Sequence, residues 1–123
     1  MKHSEGFLKL VNDAKSRIRE VTVAETRERM KAANDVRLID VREDNEWQLG
    51  RAARSIHLAK GIIERDIEAD VPDKSTELIL YCGGGFRSAL AADVLQQMGY
   101  TNVYSMAGGW KAWKDSGAPT EGD

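Results

Sequence analysis

The chain has 123 residues, 41% hydrophobic and 31% charged, which suits a single soluble domain large enough to bury a core. Eighteen basic and twenty acidic residues leave a net charge of −2, a balance that gives no support to broad binding of nucleic acid or an anionic membrane. The one cysteine excludes an internal disulfide, an all-cysteine metal site and a resolving thiol within the chain.

In chain order, residues 5 to 20 place Phe7, Leu10 or Val11, Ala14 and Ile18 on one helical stripe, with charges elsewhere. This predicts an amphipathic N-terminal helix that packs on the domain or meets a partner. Thr22 and Glu25 have the spacing of a capping box, so a second helix is expected from there to about Ala33. "VRLIDV" reads as a buried strand, "EDNEWQLG" as a short helix closed by Gly50, and "SIHL" as a weaker strand. "IIERDIEAD" is a short helix stopped before Pro72. "ELILYC" is the clearest strand and residues 87–98 the clearest helix, with Ala91, Leu95 and Met98 on one face and Gly99 at its end. "NVYSM" is a last strand, and "GGWKAWKDSG" a last helix stopped by Gly117 and Pro119. Such alternation argues for a parallel sheet covered on both faces. No apolar run reaches signal-peptide or membrane-spanning length, and a free thiol suits a reducing compartment, so a cytoplasmic protein is expected.

The segment that carries chemistry is "CGGGFRS", residues 82 to 88, between the clearest strand and the clearest helix. In an open α/β sheet, ligands bind beyond the carboxyl ends of the strands, where Cys82 falls. Gly83, Gly84 and Gly85 can curl the backbone so that N–H groups point inward, and the helix dipole and Arg87 both favour an anion at the centre. In the resting protein that anion is the thiolate itself, which would make Cys82 nucleophilic without a histidine. The bland alternative is a small core cysteine followed by a tight turn. Three consecutive glycines speak against it, since each costs chain entropy and one is enough for a turn. Arg87 has two open roles: orienting an anionic ligand or pairing with a nearby carboxylate.

"CGGGFRS" resembles the active-site loop of the rhodaneses, single-domain sulfurtransferases whose loops often read C-R-x-G-x-R-S, through Cys82, Gly85, Arg87 and Ser88. "LIDVREDNEWQLG" resembles the family's D-V-R-x-x-x-E-[WY]-x-x-G segment, through Asp40, Val41, Arg42, Glu46, Trp47 and Gly50. "NVYSMAGGWKAWKDSGAP" resembles the final strand and G-G-x-x-x-W helix, through Gly108, Gly109 and Trp113. The resemblance implies a rhodanese-like α/β fold: a central parallel five-stranded sheet covered by helices on both faces over residues 21–119. The amphipathic helix in 1–20 falls outside the resemblance, and the residues after Pro119 read as a disordered tail, 120–123.

It also implies double displacement. The Cys82 thiolate would take the sulfane sulfur of thiosulfate or a persulfide donor, and the resulting persulfide would be held by Gly83, Gly84, Gly85, Phe86 and Arg87. A thiophilic acceptor, cyanide or a thiol, would then remove the sulfur. Asp40, Arg42 and Ser88 are expected in supporting roles, the first two as a buried polar pair, with no metal and no cofactor. His57 and the three tryptophans read as packing residues, Trp110 reaching towards the rim. Lys60 and Arg65 are weaker candidates for a place near the loop. The sequence departs from the family where "GRAARSI" replaces G-H-I-P-G-A, placing Arg51 and Arg54 at the presumed border of the site, and where Gly83 replaces an arginine. With no second cysteine the acceptor is external, either a small molecule or a protein partner. A sulfur-carrier or docking module with little activity on free thiosulfate is the alternative. Related phosphatases use C-x5-R, whereas C-x4-R here forms a smaller cradle.

Overall fold

A computed structural model describes residues 2–123; residue 1 lies outside it. Among the described residues there are six helices and seven strands. The helices are α1 (Glu5–Lys15), α2 (Val23–Ala32), α3 (Asp44–Gln48), α4 (Ile63–Asp70), α5 (Phe86–Gln97) and α6 (Gly109–Asp115). The strands are β1 (Arg19–Val21), β2 (Arg37–Asp40), β3 (Arg51–Ala52), β4 (Ile56–His57), β5 (Leu78–Tyr81), β6 (Val103–Met106) and β7 (Thr120–Glu121). Five of the strands form one sheet in the order β1-β6-β5-β2-β4, with every pair parallel. The architecture is the α/β one expected, with a central parallel sheet between helical layers.

The side-chain period of two explains how the sheet is covered. On β5, Leu78 and Leu80 point into a core built with Ile63, Ile67, Ala91, Ala92 and Leu95, beneath α4 and α5. Ile79 and Tyr81 point the other way, into a core with Val21, Val23, Met106 and Trp113 beneath α2 and α6. A strand buried on both faces must be apolar throughout, which is why "LILY" shows no alternation. Cys82 continues the parity of Leu78 and Leu80 and joins the α5 side.

Two elements differ from the sequence-based expectation. The N-terminal helix stops at Lys15, where the Ser16 hydroxyl donates to the Asp13 carbonyl at 2.6 Å, and the chain then becomes the edge strand β1. Ile18 packs against one core and Val21 enters the other, a division across two sheet faces that the helical stripe concealed. On the helix, Val11 is the buried member of the stripe, while Leu10 is 61% exposed. The end of the chain is the second difference. Thr120–Glu121 form β7, paired antiparallel with β3 through Arg51↔Glu121 and Ala52↔Thr120, where a disordered tail was expected. The indole N–H of the buried Trp113 donates to the Pro119 carbonyl at 2.8 Å, which anchors the segment before the strand begins. The capping box at α2 is present in both directions, Thr22 and Glu25 each accepting the other's backbone N–H.

Candidate active site

The parallel sheet brings the ends of β2, β5 and β6 to one edge, and the loops that follow them make the site. After Tyr81 the chain turns through Cys82, Gly83, Gly84 and Gly85 into α5. Only Gly85 uses a left-handed conformation, with φ 100°. It is the N-cap of α5 and has no side chain to cap the free amides of the first turn. The sulfur of Cys82 takes that place, accepting N–H bonds from Gly85 at 3.1 Å and from Ser88 at 3.4 Å. Cys82 is 1% exposed, and its Sγ also lies 3.6 Å from the Ser88 hydroxyl. Ser88 is in turn hydrogen-bonded to Ser105 on β6 at 2.8 Å, so two buried hydroxyls support the thiol from below the loop. Ser88 therefore contacts the sulfur more directly than its supporting role in the sequence suggested.

The loop's shape depends on close backbone packing. The N–H of Trp110 donates to the Cys82 carbonyl at 2.7 Å and that of Lys111 to the Gly83 carbonyl at 3.2 Å. A side chain at Gly109 would collide with that carbonyl and with Gly83, and one at Gly108 would meet Ala112. The paired glycines of the third motif are thus explained by contact between α6 and the cysteine loop.

The second motif acts at a distance. Asp40 and Arg42 form a buried bidentate pair: Arg42 Nε and Nη2 donate to the carboxylate, the shortest at 2.7 Å, and the Arg42 amide also bonds Asp40. Arg42 Nη2 donates further to the Gly50 carbonyl, closing the segment around α3. That closure holds Glu46 beside the loop, where its carboxylate takes two bonds from Arg87, at 2.8 and 3.1 Å. Of the two roles left open for Arg87, the structure shows the carboxylate pair. The Arg87 guanidinium holds the Glu46 carboxyl below the ordinary glutamate value. Glu46 was visible in the motif but was not expected to touch a loop residue.

Cys82, Gly83, Gly84, Phe86 and Arg87 line an open cleft of about 790 Å³, together with Glu46 and four residues from the N-terminal segment, Lys2, His3, Ser4 and Phe7. Other candidates lie elsewhere. Arg51 stacks over Trp47 at 4.5 Å and donates to its carbonyl, and exposed Arg54, at φ 68°, lines a separate groove with Arg27 and Lys31. Neither replacement for the family's usual residues adds a cation to the cleft. Arg65 pairs with its neighbour Asp66, and Lys60 is absent from the lining. His57 stacks on Trp47 and donates to the Arg42 carbonyl at 2.8 Å, a packing role. Among the described residues no cluster of histidine, cysteine or carboxylate side chains has the arrangement of a metal site.

The family comparison agrees with this geometry: the rhodanese-like domain matches residues 22–116. The chain belongs to the rhodanese-like family. Over 102 residues, which are 83% of this chain and 96% of the relative, this rhodanese-like domain is 32% identical to a Bacillus subtilis (strain 168) protein named "Putative sulfurtransferase YtwF". It is also 33% identical over 89 residues, 63% of each chain, to a Schizosaccharomyces pombe protein named "Putative thiosulfate sulfurtransferase, mitochondrial". Among solved structures, a Rhodopseudomonas palustris CGA009 protein of unknown function, described as a possible tyrosine phosphatase, superposes with a TM-score of 0.83 at 31% identity, covering 98% of both chains. The rhodanese fold of this chain therefore has relatives named for sulfur transfer. No helix among the described residues is long and apolar enough to cross a membrane.

Proposed function

We propose that the protein is a sulfurtransferase that carries a sulfane sulfur on Cys82. The observation that carries this reading is the sulfur atom standing in for a helix cap, with the Gly85 and Ser88 amides directed at it. Fixed N–H dipoles stabilise negative charge on sulfur without reorganising as the reaction proceeds. In the first half-reaction the thiolate attacks the sulfane sulfur of the donor. A Cys82 S–S bond forms, and the donor's own bond to that sulfur breaks with its electron pair. With thiosulfate the leaving group is sulfite; with an organic persulfide it is a thiolate. The Cys82 persulfide keeps one negative charge on its terminal sulfur, which the backbone amides of the loop from Gly83 to Arg87 would hold, the Gly85 amide already bonding the inner sulfur. In the second half-reaction an external thiolate or cyanide takes that sulfur and returns the Cys82 thiolate, so charge and electrons balance in both halves. An external acceptor is required because the chain has no second cysteine. A free thiol nucleophile suits a reducing compartment such as the cytoplasm.

Phosphate-ester chemistry fits less well. The loop is one residue shorter than the C-x5-R cradle, and its arginine is committed to Glu46.

The test is intact-protein mass spectrometry after incubation with thiosulfate and, separately, an organic sulfane-sulfur donor, beside Cys82→Ser. A gain of one sulfur, removed by cyanide and absent in the variant, is expected. Failure of every donor to load the folded, reduced protein would overturn the proposal.

A further inference from the structure

Helix α1 and the residues before it lie outside the matched domain, yet they supply much of the wall of the Cys82 cleft. The His3 ring meets Phe86 edge-on at 4.6 Å between centroids, Phe7 lies 6.4 Å from Phe86, and His3 and Phe7 are 5.2 Å apart. Phe86 is the first residue of α5, so the aromatic cluster joins the N-terminal segment to the cysteine loop itself. The segment is firmly placed. Ser4 caps α1 by accepting the Phe7 amide, and Val11 and Ala14 are buried against the domain. Beyond the helix, Arg17 clamps Asp93 of α5 with bonds of 3.0 and 2.7 Å, and Gln96 donates to the Arg17 carbonyl.

A cleft of about 790 Å³ is on the scale of pockets for organic molecules, far larger than a small tetrahedral dianion fills. Its charge also disfavours such a dianion. Arg87 is neutralised by Glu46, Glu46 is itself part of the lining, and Gly83 contributes no side chain. Lys2 is left as a cation on the wall, enough for one negative charge, while Lys15, 5.3 Å over the Phe86 ring, is paired with Glu20 at 3.6 Å.

We propose that the segment from Lys2 to Phe7 makes the Cys82 site selective for monoanionic sulfane-sulfur donors with an apolar organic body, over inorganic thiosulfate. This rests on the sulfur-transfer reading above. The aromatic body packs against His3, Phe7 and Phe86 while the sulfane sulfur reaches Cys82. For a thiosulfonate, the Cys82 thiolate takes the terminal sulfur and the sulfinate leaves with the electron pair of the broken S–S bond.

The test compares methanethiosulfonate, benzenethiosulfonate and thiosulfate on the full chain, with cyanide as acceptor and sulfur loading of Cys82 followed by mass. Methane- and benzenethiosulfonate share the reacting head and differ in the body. The wild type is expected to favour the benzene compound by about tenfold in kcat/KM, corrected for the uncatalysed rates. His3→Ala/Phe7→Ala should reduce that preference to about one through KM, lowering kcat/KM for the benzene compound by about tenfold more than for thiosulfate and methanethiosulfonate. Phe7→Leu, which keeps apolar bulk, should retain most of it. A wild-type ratio near one, or a double variant that lowers all three donors alike, overturns the selectivity while sulfur transfer stands. If no donor loads Cys82, both proposals fall together.

Discussion

Glu46 and Arg87 lie 41 residues apart and face each other through two hydrogen bonds, of 2.8 and 3.1 Å, over the loop that holds Cys82. The pair makes the loop's only arginine a structural tie between α3 and α5. Within the cleft it neutralises the cation that an anionic donor would seek.

Removing the carboxylate charge should therefore release Arg87 towards substrate. Glu46→Gln is expected to lower the KM for thiosulfate by about fivefold, equivalent to about 1 kcal/mol, with little change in kcat. Steady-state kinetics with cyanide as acceptor measure this. An unchanged or raised KM would show that Arg87 does not reach the donor even when freed.

The same pair has a pH signature. Glu46 titrates below its unfolded value because Arg87 bonds its ionised form. Its stabilisation is therefore fully present above the ordinary glutamate range and is lost as pH falls through the lower, folded value. Both side chains are about one-third exposed, so the contribution is at most about 1 kcal/mol. The melting temperature of the wild type should exceed that of Glu46→Gln by a few degrees at neutral pH, and the gap should narrow and close as pH falls below the ordinary glutamate range. A gap that persists in acid would contradict the assignment.

Gly109 is held where no side chain fits. Gly109→Ala places a methyl group against the Cys82 carbonyl and Gly83, at a backbone φ of 54°. A loss of about 2–3 kcal/mol in stability is expected, from the positive φ together with the clash. Sulfur loading of Cys82 should fall as the loop is displaced. Denaturant melts and loading assays on the same preparation check both effects.

Ser88 and Ser105 form a buried hydroxyl pair next to the sulfur. Ser88→Ala removes the Oγ contact with Cys82 and leaves the Ser105 hydroxyl without this partner, at a cost of about 1–3 kcal/mol. Ser88→Ala/Ser105→Ala should recover part of the stability but none of the activity, because the orphaned group has gone while the sulfur contact is still missing. If the double variant regained activity, the hydroxyl would be ordinary packing.

Asp40 and Arg42 show why a buried pair is sensitive to losing one partner. Asp40 is fully buried and Arg42 is 3% exposed. Asp40→Ala strands a guanidinium and should cost about 3–5 kcal/mol, with Glu46 displaced from Arg87 as α3 loosens. Urea melts read the first effect, and a lowered KM for thiosulfate in the surviving folded protein reads the second.

Much of this molecule was determined by local pattern. The apolar run at 78–81 read most clearly as a strand, Thr22 and Glu25 capped α2 as their spacing required, and the cysteine fell at the carboxyl end of a strand. These features depend on neighbours in the chain, so they are legible in the order of residues. Others depended on partners far away in sequence. Arg19–Val21 left the helical pattern because β6 offered Tyr104 to Met106 as an edge, and Thr120–Glu121 became a strand because β3 was beside it. Arg87 could serve a ligand or a carboxylate until the Asp40–Arg42 closure brought Glu46 within reach. His3 and Phe7 became walls of the cleft only when α1 docked on α5. A residue's own chemistry sets what it is able to bind, and the tertiary fold decides which of its possible partners lies within bonding distance.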